Sequence, residues 1–141
     1  YLTKPLSQGE LYEVLTRYLT TTALVVDSDP VSQQMTVEYL IEQGWRVTIA
    51  ETGRSAMYEA SLSHFDLILL DTEMMEIDGA ETARIIRRLE EYSGRHAKIL
   101  GIGSADKGSE FEKRFRESGV DGFIKRPLSV DLIKKHLDFG S

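Results

Sequence analysis

The chain has no cysteine, so a disulfide framework and thiolate chemistry are both excluded. No apolar stretch approaches the roughly 18 residues needed to span a bilayer, and no signal peptide is visible. Basic residues are in the minority, 17 Lys and Arg against 23 Asp and Glu, which leaves a formal net charge of -6. A nucleic-acid-binding face needs clustered cations to neutralise phosphates. The nearest approaches, Arg84-Ile85-Ile86-Arg87-Arg88 and Lys113-Arg114-Phe115-Arg116, are interleaved with acids and read as solvated helix faces. Neither nucleic acid nor direct membrane contact is expected. What is present, 41% hydrophobic and 28% charged residues over 141 positions, describes one globular domain with a full core. The first residue is Tyr1 rather than methionine, which suggests a piece of something larger.

From Thr22 onward, short apolar runs alternate with helical patterns. Residues 23–26, 45–49, 65–70, 98–102 and 122–124 read as strands. Between and after them, residues 31–43, 54–63, 79–92, 110–118 and 130–137 read as helices, the third with Ala83, Ile86 and Leu89 on one face. Five strands alternating with five helices imply βαβ crossovers and a parallel sheet covered on both faces. The expected fold class is α/β, a doubly wound sheet in the order 2-1-3-4-5 with two helices on one face and three on the other.

The first twenty residues stand outside that count. Tyr1-Leu2-Thr3-Lys4-Pro5-Leu6, followed by a helical pattern over 9–19, mirrors Phe123-Ile124-Lys125-Arg126-Pro127-Leu128 and the helical 131–137. Two such segments a domain apart read as an internal repeat. Residues 1–20 are therefore expected to be the tail of a preceding homologous domain, its last strand end and helix plus a linker. Residues 21–141 form the domain itself.

Asp71 closes the apolar run Phe65-Asp66-Leu67-Ile68-Leu69-Leu70-Asp71, and Asp27 closes Ala23-Leu24-Val25-Val26 in the same way. A carboxylate at the carboxyl end of a buried parallel strand faces the crevice where such sheets hold ligands. With the segment Asp71-Thr72-Glu73-Met74-Met75-Glu76-Ile77-Asp78-Gly79 and the Arg126-Pro127 turn, these aspartates resemble the receiver domain of two-component response regulators. The resemblance runs from Thr22 to about Leu137. Leu2-Thr3-Lys4-Pro5-Leu6 is an even closer match to a receiver's final strand, so two receivers in tandem look like the C-terminal portion of a hybrid sensor histidine kinase.

The resemblance implies a flavodoxin-like sheet and phosphoryl transfer from a histidine to Asp71. Such a transfer needs a carboxylate nucleophile, a divalent cation and further donors on the phosphoryl oxygens. It implies Mg²⁺ held by Asp27, Asp71 and the backbone carbonyl of Glu73, with Gly103 and Phe123 at the switch positions. Implied partners are a histidine kinase core, a phosphotransfer domain or a neighbouring receiver, at a cytoplasmic location, with the parent kinase anchored in the inner membrane. Pairing of two copies is expected through the fourth helix, fifth strand and fifth helix, residues 108–118, 122–125 and 130–137. There Lys113, Arg114, Arg116 and Glu117 suit a salt-bridged interface and a solvated face equally. The fragment itself reads as a regulatory module rather than an enzyme.

Several site positions depart from the family's set. Ser28 stands where the second, more directly metal-binding acid belongs, with Asp29 one residue on, so Mg²⁺ affinity is expected to be weakened. Gly103 takes the Ser/Thr position after the fourth strand, and Ser104 follows it. Arg126 takes the lysine position, preceded by Lys125, which points to the opposite face of its strand. Met75 replaces a common loop proline. The Glu73 side chain either restores the charge lost at Ser28 or repels the incoming group, which would raise the Asp71 pKa.

Other candidates carry less. His64, His96 and His136 lack metal-ligand spacing, Met74 and Met75 read as loop packing, and Gly101-Ile102-Gly103 lacks the context of a dinucleotide fingerprint. No nucleophile–base pair supports a hydrolase. Two readings remain: a degenerate receiver whose phosphorylation is weak or absent, and a fully competent Mg²⁺-dependent phosphoacceptor. The altered pocket favours the first; retention of Asp71 favours the second.

Overall fold

Burying apolar runs along strands and apolar stripes along helices leaves this sequence one arrangement, a sheet covered on both faces. A computed structural model describes residues 21–72, 79–103 and 109–137. Within them the elements are β1 (Thr22–Val26), α1 (Pro30–Glu42), β2 (Arg46–Ala50), α2 (Gly53–Leu62) and β3 (Leu67–Asp71), followed by α3 (Gly79–Ser93), β4 (Lys98–Gly103), α4 (Ser109–Glu117), β5 (Gly122–Lys125) and α5 (Val130–Leu137). The strands run parallel in the order β2-β1-β3-β4-β5, the flavodoxin-like doubly wound sheet that the alternation predicts. Residues 1–20, read as the tail of a preceding domain, lie outside the described residues.

Strand alternation sorts the core into two layers. Ala23, Val25, Leu67, Leu69, Leu100, Ile102 and Ile124 meet Leu40 and Val37 of α1 and Leu132 and Leu137 of α5. Leu24, Val26, Ile68, Leu70 and Ile99 meet Ala56 of α2, Ala83 and Ile86 of α3, and Phe115 of α4. β3 is buried on both faces along its whole length, as expected of a central parallel strand.

Element ends move by a residue or two from the sequence pattern, each for a local reason. Trp45 drops out of β2 because its N–H turns back to Leu40 O at 3.0 Å, closing α1 through Gly44, whose φ of 92° suits glycine. β3 extends to Asp71 because that residue pairs with Ile102 of β4. Asp71 thus lies on the sheet itself rather than on the loop after it.

Arg87 departs from its expected place on a solvated face. Its side chain is only 16% exposed. It donates to Gly119 O at 2.9 Å, Ala97 O at 2.8 Å, Glu90 Oε1 at 2.7 Å and Asp121 Oδ2 at 2.7 Å. Asp121 Oδ2 also accepts from Ile99 N at 2.8 Å, and Glu90 Oε2 from Ala97 N at 2.6 Å. One guanidinium therefore ties α3 to the entrances of β4 and β5. Arg87→Ala strands two carboxylates and two carbonyls at once, and should lower the free energy of unfolding by about 3 kcal/mol. Equilibrium urea unfolding measures that loss directly.

Candidate functional site

Three strands deliver charge to one end of the sheet. β1 ends at Val26 and leaves Asp27 at its carboxyl end, while β3 ends on Asp71. β5 ends at Lys125 and passes the chain to Arg126, whose N–H donates to Gly103 O at 2.7 Å. Asp29 opens α1: its Oδ1 accepts from Val31 N at 3.2 Å, and Pro30 occupies a first-turn position where a missing N–H costs nothing.

The crevice is organised around a guanidinium. Arg126 Nη2 donates to Asp27 Oδ1 at 2.9 Å and lies 3.5 Å from Asp71 Oδ2. Its Nη1 donates to Ser32 Oγ at 2.9 Å and lies 3.8 Å from Asp29 Oδ2. Asp27 is 0% exposed and Asp71 2%, a depth at which unpaired carboxylates are very costly. Ser32 Oγ donates onward to Asp27 Oδ2, and Asp29 N donates to Asp27 Oδ1 at 3.0 Å. Asp71 Oδ2 accepts from Ser28 Oγ at 2.9 Å and Ser28 N at 3.3 Å. Burial pulls the Arg126 pKa down, but the hydrogen bond and charge of Asp27, then the charges of Asp71 and Asp29, outweigh it and raise the pKa above its ordinary value. The guanidinium therefore stays charged throughout the working pH range.

On the other face of the sheet, Thr72 N donates to Ile102 O at 2.8 Å and so continues the β3–β4 ladder beside Gly103. A Cβ at Gly103 would fall 2.5 Å from Thr72 Oγ1 and 2.8 Å from Phe123 Cζ. Any larger residue there would require the Thr72 and Phe123 side chains to shift. Phe123 packs edge-on to Phe115 with ring centroids 6.2 Å apart, as a core aromatic. Among the described residues, Thr72 Oγ1 has no hydrogen-bond partner.

The structure thus brings together five of the residues singled out from sequence, Asp27, Ser28, Asp29, Asp71 and Arg126, and places Gly103 and Phe123 side by side. Ser104 and Glu73 lie outside the described residues. Lys125 is exposed, as strand alternation requires once Arg126 turns inward. One residue escapes sequence reasoning. Ser32 could have been suspected from its place in the first turn of α1, facing the β1 terminus.

A divalent cation such as Mg²⁺ favours carboxylate oxygens with retained water. Asp27 and Asp71 offer such oxygens, and three carboxylates with Asp29 (-3) against one guanidinium (+1) leave -2 in the crevice. The donor chemistry fits a divalent cation held by Asp27 and Asp71. Arg126 already holds Asp27, and Ser28 donates its hydroxyl to Asp71, so a cation would share those oxygens with donors in place. Among the described residues, no group of three or more His, Cys, Asp or Glu is placed to hold a metal.

Over residues 23–138 the chain matches the response regulator receiver domain, and it belongs to that family. It is 31% identical over 114 residues to the sensor histidine kinase RcsC of Escherichia coli, a match covering 81% of this chain and 12% of that protein. To hybrid signal transduction histidine kinase A of Dictyostelium discoideum it is 29% identical over 117 residues, covering 82% of this chain and 5% of that protein. The chain therefore spans only a small part of the length of these curated relatives. Among solved structures, the Vibrio cholerae chemotaxis protein CheY4 superposes with a TM-score of 0.76 at 25% identity, covering 84% of this chain and 96% of that one. The receiver domain of the sensor histidine kinase PA1611 from Pseudomonas aeruginosa superposes with a TM-score of 0.72 at 25% identity, covering 83% and 93%. That domain holds a magnesium ion coordinated in its active-site cleft.

Arg126→Gln leaves Asp27 buried without its counter-charge and should cost about 2 kcal/mol of stability. Arg126→Lys keeps the charge, loses one arm of the fork, and should cost about 1 kcal/mol. Thermal and urea unfolding of the two variants check both the order and the size.

Proposed function

We propose that this chain is the phosphoryl-receiving module of a hybrid histidine kinase, with Asp71 as acceptor and with weak uptake. The observation that carries the reading is Asp71 itself, 2% exposed at the end of a strand buried on both faces, with Asp27 and Arg126 against the same crevice. In the proposed step a phosphohistidine P–N bond breaks, an Asp71 carboxylate oxygen forms the new P–O bond, and the released imidazole takes up a proton. Arg126, already beside Asp71, offers charge to the incoming phosphoryl oxygens. A bound Mg²⁺ would neutralise those oxygens further, held by Asp27, Asp71 and the Glu73 carbonyl.

Three features support weak uptake. Arg126 occupies Asp27, Ser28 stands in an acid's position and bonds Asp71, and Gly103 brings no hydroxyl from β4. The donor would be a histidine kinase core or phosphotransfer domain, and the module would sit on the cytoplasmic side. No helix among the described residues is long and apolar enough to cross a membrane. The hydrogen bonds from Ser28 to Asp71 also favour a second reading, a docking module that is never phosphorylated.

Amide NMR during Mg²⁺ titration, with and without beryllofluoride, separates the two. Saturable shifts at Asp27, Asp71 and Gly103 are expected, at millimolar metal rather than below it. No shift at any metal concentration leaves only the docking module. Ser28→Asp restores the missing acid and should tighten Mg²⁺ binding about tenfold. The melting temperature of that variant, unlike that of the parent protein, should rise clearly as Mg²⁺ is added.

A further inference from the structure

A chain that enters its fold beside a cavity brings the residues before that point within reach of it. At the amino end of the sheet, Thr22 N donates to Asp66 Oδ2 at 2.9 Å and Thr22 Oγ1 to His64 O at 3.2 Å. Arg46 N donates to Thr21 O at 2.9 Å. These bonds fasten the entering chain to the starts of β2 and β3. His64 also lines a cavity of about 490 Å³ between the ends of α2 and α3 and the starts of β3 and β4.

The make-up of that cavity points to an occupant. Its floor is apolar, from the buried Phe65, Ile68, Ile86 and Ala97. The half-buried His64 and the exposed Ser93 and Arg95 add polar groups to the lining. Two large side chains that line it reach into solvent, Leu62 at 62% exposed and Tyr92 at 89%. Single exposed hydrophobics need no explanation, but a pair flanking an apolar hollow marks a surface to be covered. An apolar floor with polar groups above it suits an aromatic ring that carries a hydroxyl.

The sequence before Thr21 offers such a side chain, in the stretch 1–20 that lies outside the described residues. In the repeat that sets Pro5-Leu6 against Pro127-Leu128, Leu11 and Leu15 stand where Ile133 and Leu137 stand. Ile133 is fully buried, and Leu137 packs against the core layer beneath α5. Tyr18 and Leu19 fall past the end of that match and have no counterpart in α5. Tyr18 is four residues before Thr22, a span of up to about 13 Å of extended chain.

We propose that the Tyr18 ring seats in this cavity, with its hydroxyl among the polar groups of His64, Ser93 and Arg95. Leu11 and Leu15 then serve the core of a preceding domain, and Tyr18 serves this one. The junction between the two domains becomes a fixed joint rather than a free tether. It lies at the end of the sheet opposite Asp71, and it does not depend on whether Asp71 accepts a phosphoryl group.

Aromatic-to-methyl NOEs in the 141-residue chain test the joint. Cross-peaks from the Tyr18 ring protons to the methyls of Leu62 and Ile86 are expected. Tyr18→Ala should remove them, shift those methyl signals and lower the melting temperature by about 4 °C. Tyr18→Phe keeps the ring and should lose no more than about half as much. Leu15→Ala should leave the cavity methyl signals in place. Cavity signals unmoved by Tyr18→Ala, with no cross-peaks in the parent protein, overturn the proposal. Cavity signals that move with Leu15→Ala instead show a whole helix face covering the cavity, and overturn the assignment to Tyr18. Cross-peaks between differently labelled chains in a mixed sample show a second copy in the cavity, and overturn it equally.

Discussion

The ion pair between Arg126 and Asp27 organises the carboxyl end of the sheet. Asp27 is fully buried, and in a low-dielectric setting its charge persists only if a counter-charge and hydrogen bonds meet it. The guanidinium supplies the counter-charge at 2.9 Å and spends its second arm on Ser32, which itself bonds Asp27. The end of β5 is thereby fastened to the end of β1 and to the first turn of α1. The backbone of Arg126 is fixed in turn by Gly103 O. Loosening any one of these contacts would expose a buried charge, so they hold or fail together.

That arrangement has a direct bearing on chemistry. A compact, mobile ammonium can yield to a metal ion, whereas a planar fork held by two partners gives up both hydrogen bonds when it moves. Asp71 is approached by the same guanidinium at 3.5 Å and by both donors of Ser28, so its charge is partly answered before any ligand arrives. The net charge of the crevice still favours cations. If Asp71 is the acceptor, as proposed, an incoming group must displace these contacts before it is held. The receiver family's regulatory logic, a conformational equilibrium shifted by an added anion, would operate here with a smaller shift.

Much of this was legible in the sequence. Continuous apolar runs such as 67–70 can be buried only as central strands, and aspartates at the ends of two such runs mark the crevice before any coordinates are known. The substitutions at Ser28, Gly103 and Arg126 were legible as departures because the spacing around them is intact. What those residues touch was not. Ser32 and Arg126 meet across 94 positions of chain, and no local pattern announces that contact. Arg87 looked solvated because helical periodicity reports which face a residue is on, not which carbonyls that face will meet. Thr72 was passed over because an unsatisfied hydroxyl is a property of its surroundings, visible only once β3 and β4 are paired.

The account stands on Arg126 holding Asp27 against a competing metal ion. Guanidinium-detected NMR of Arg126 during a Mg²⁺ titration tests this most directly, because hydrogen bonds on both arms slow rotation about the Nη bonds and separate their proton signals. The account predicts that the separated signals persist at submillimolar Mg²⁺ and broaden only at several millimolar. Their collapse at micromolar Mg²⁺ would show a metal that displaces the arginine with ease, and would contradict the account.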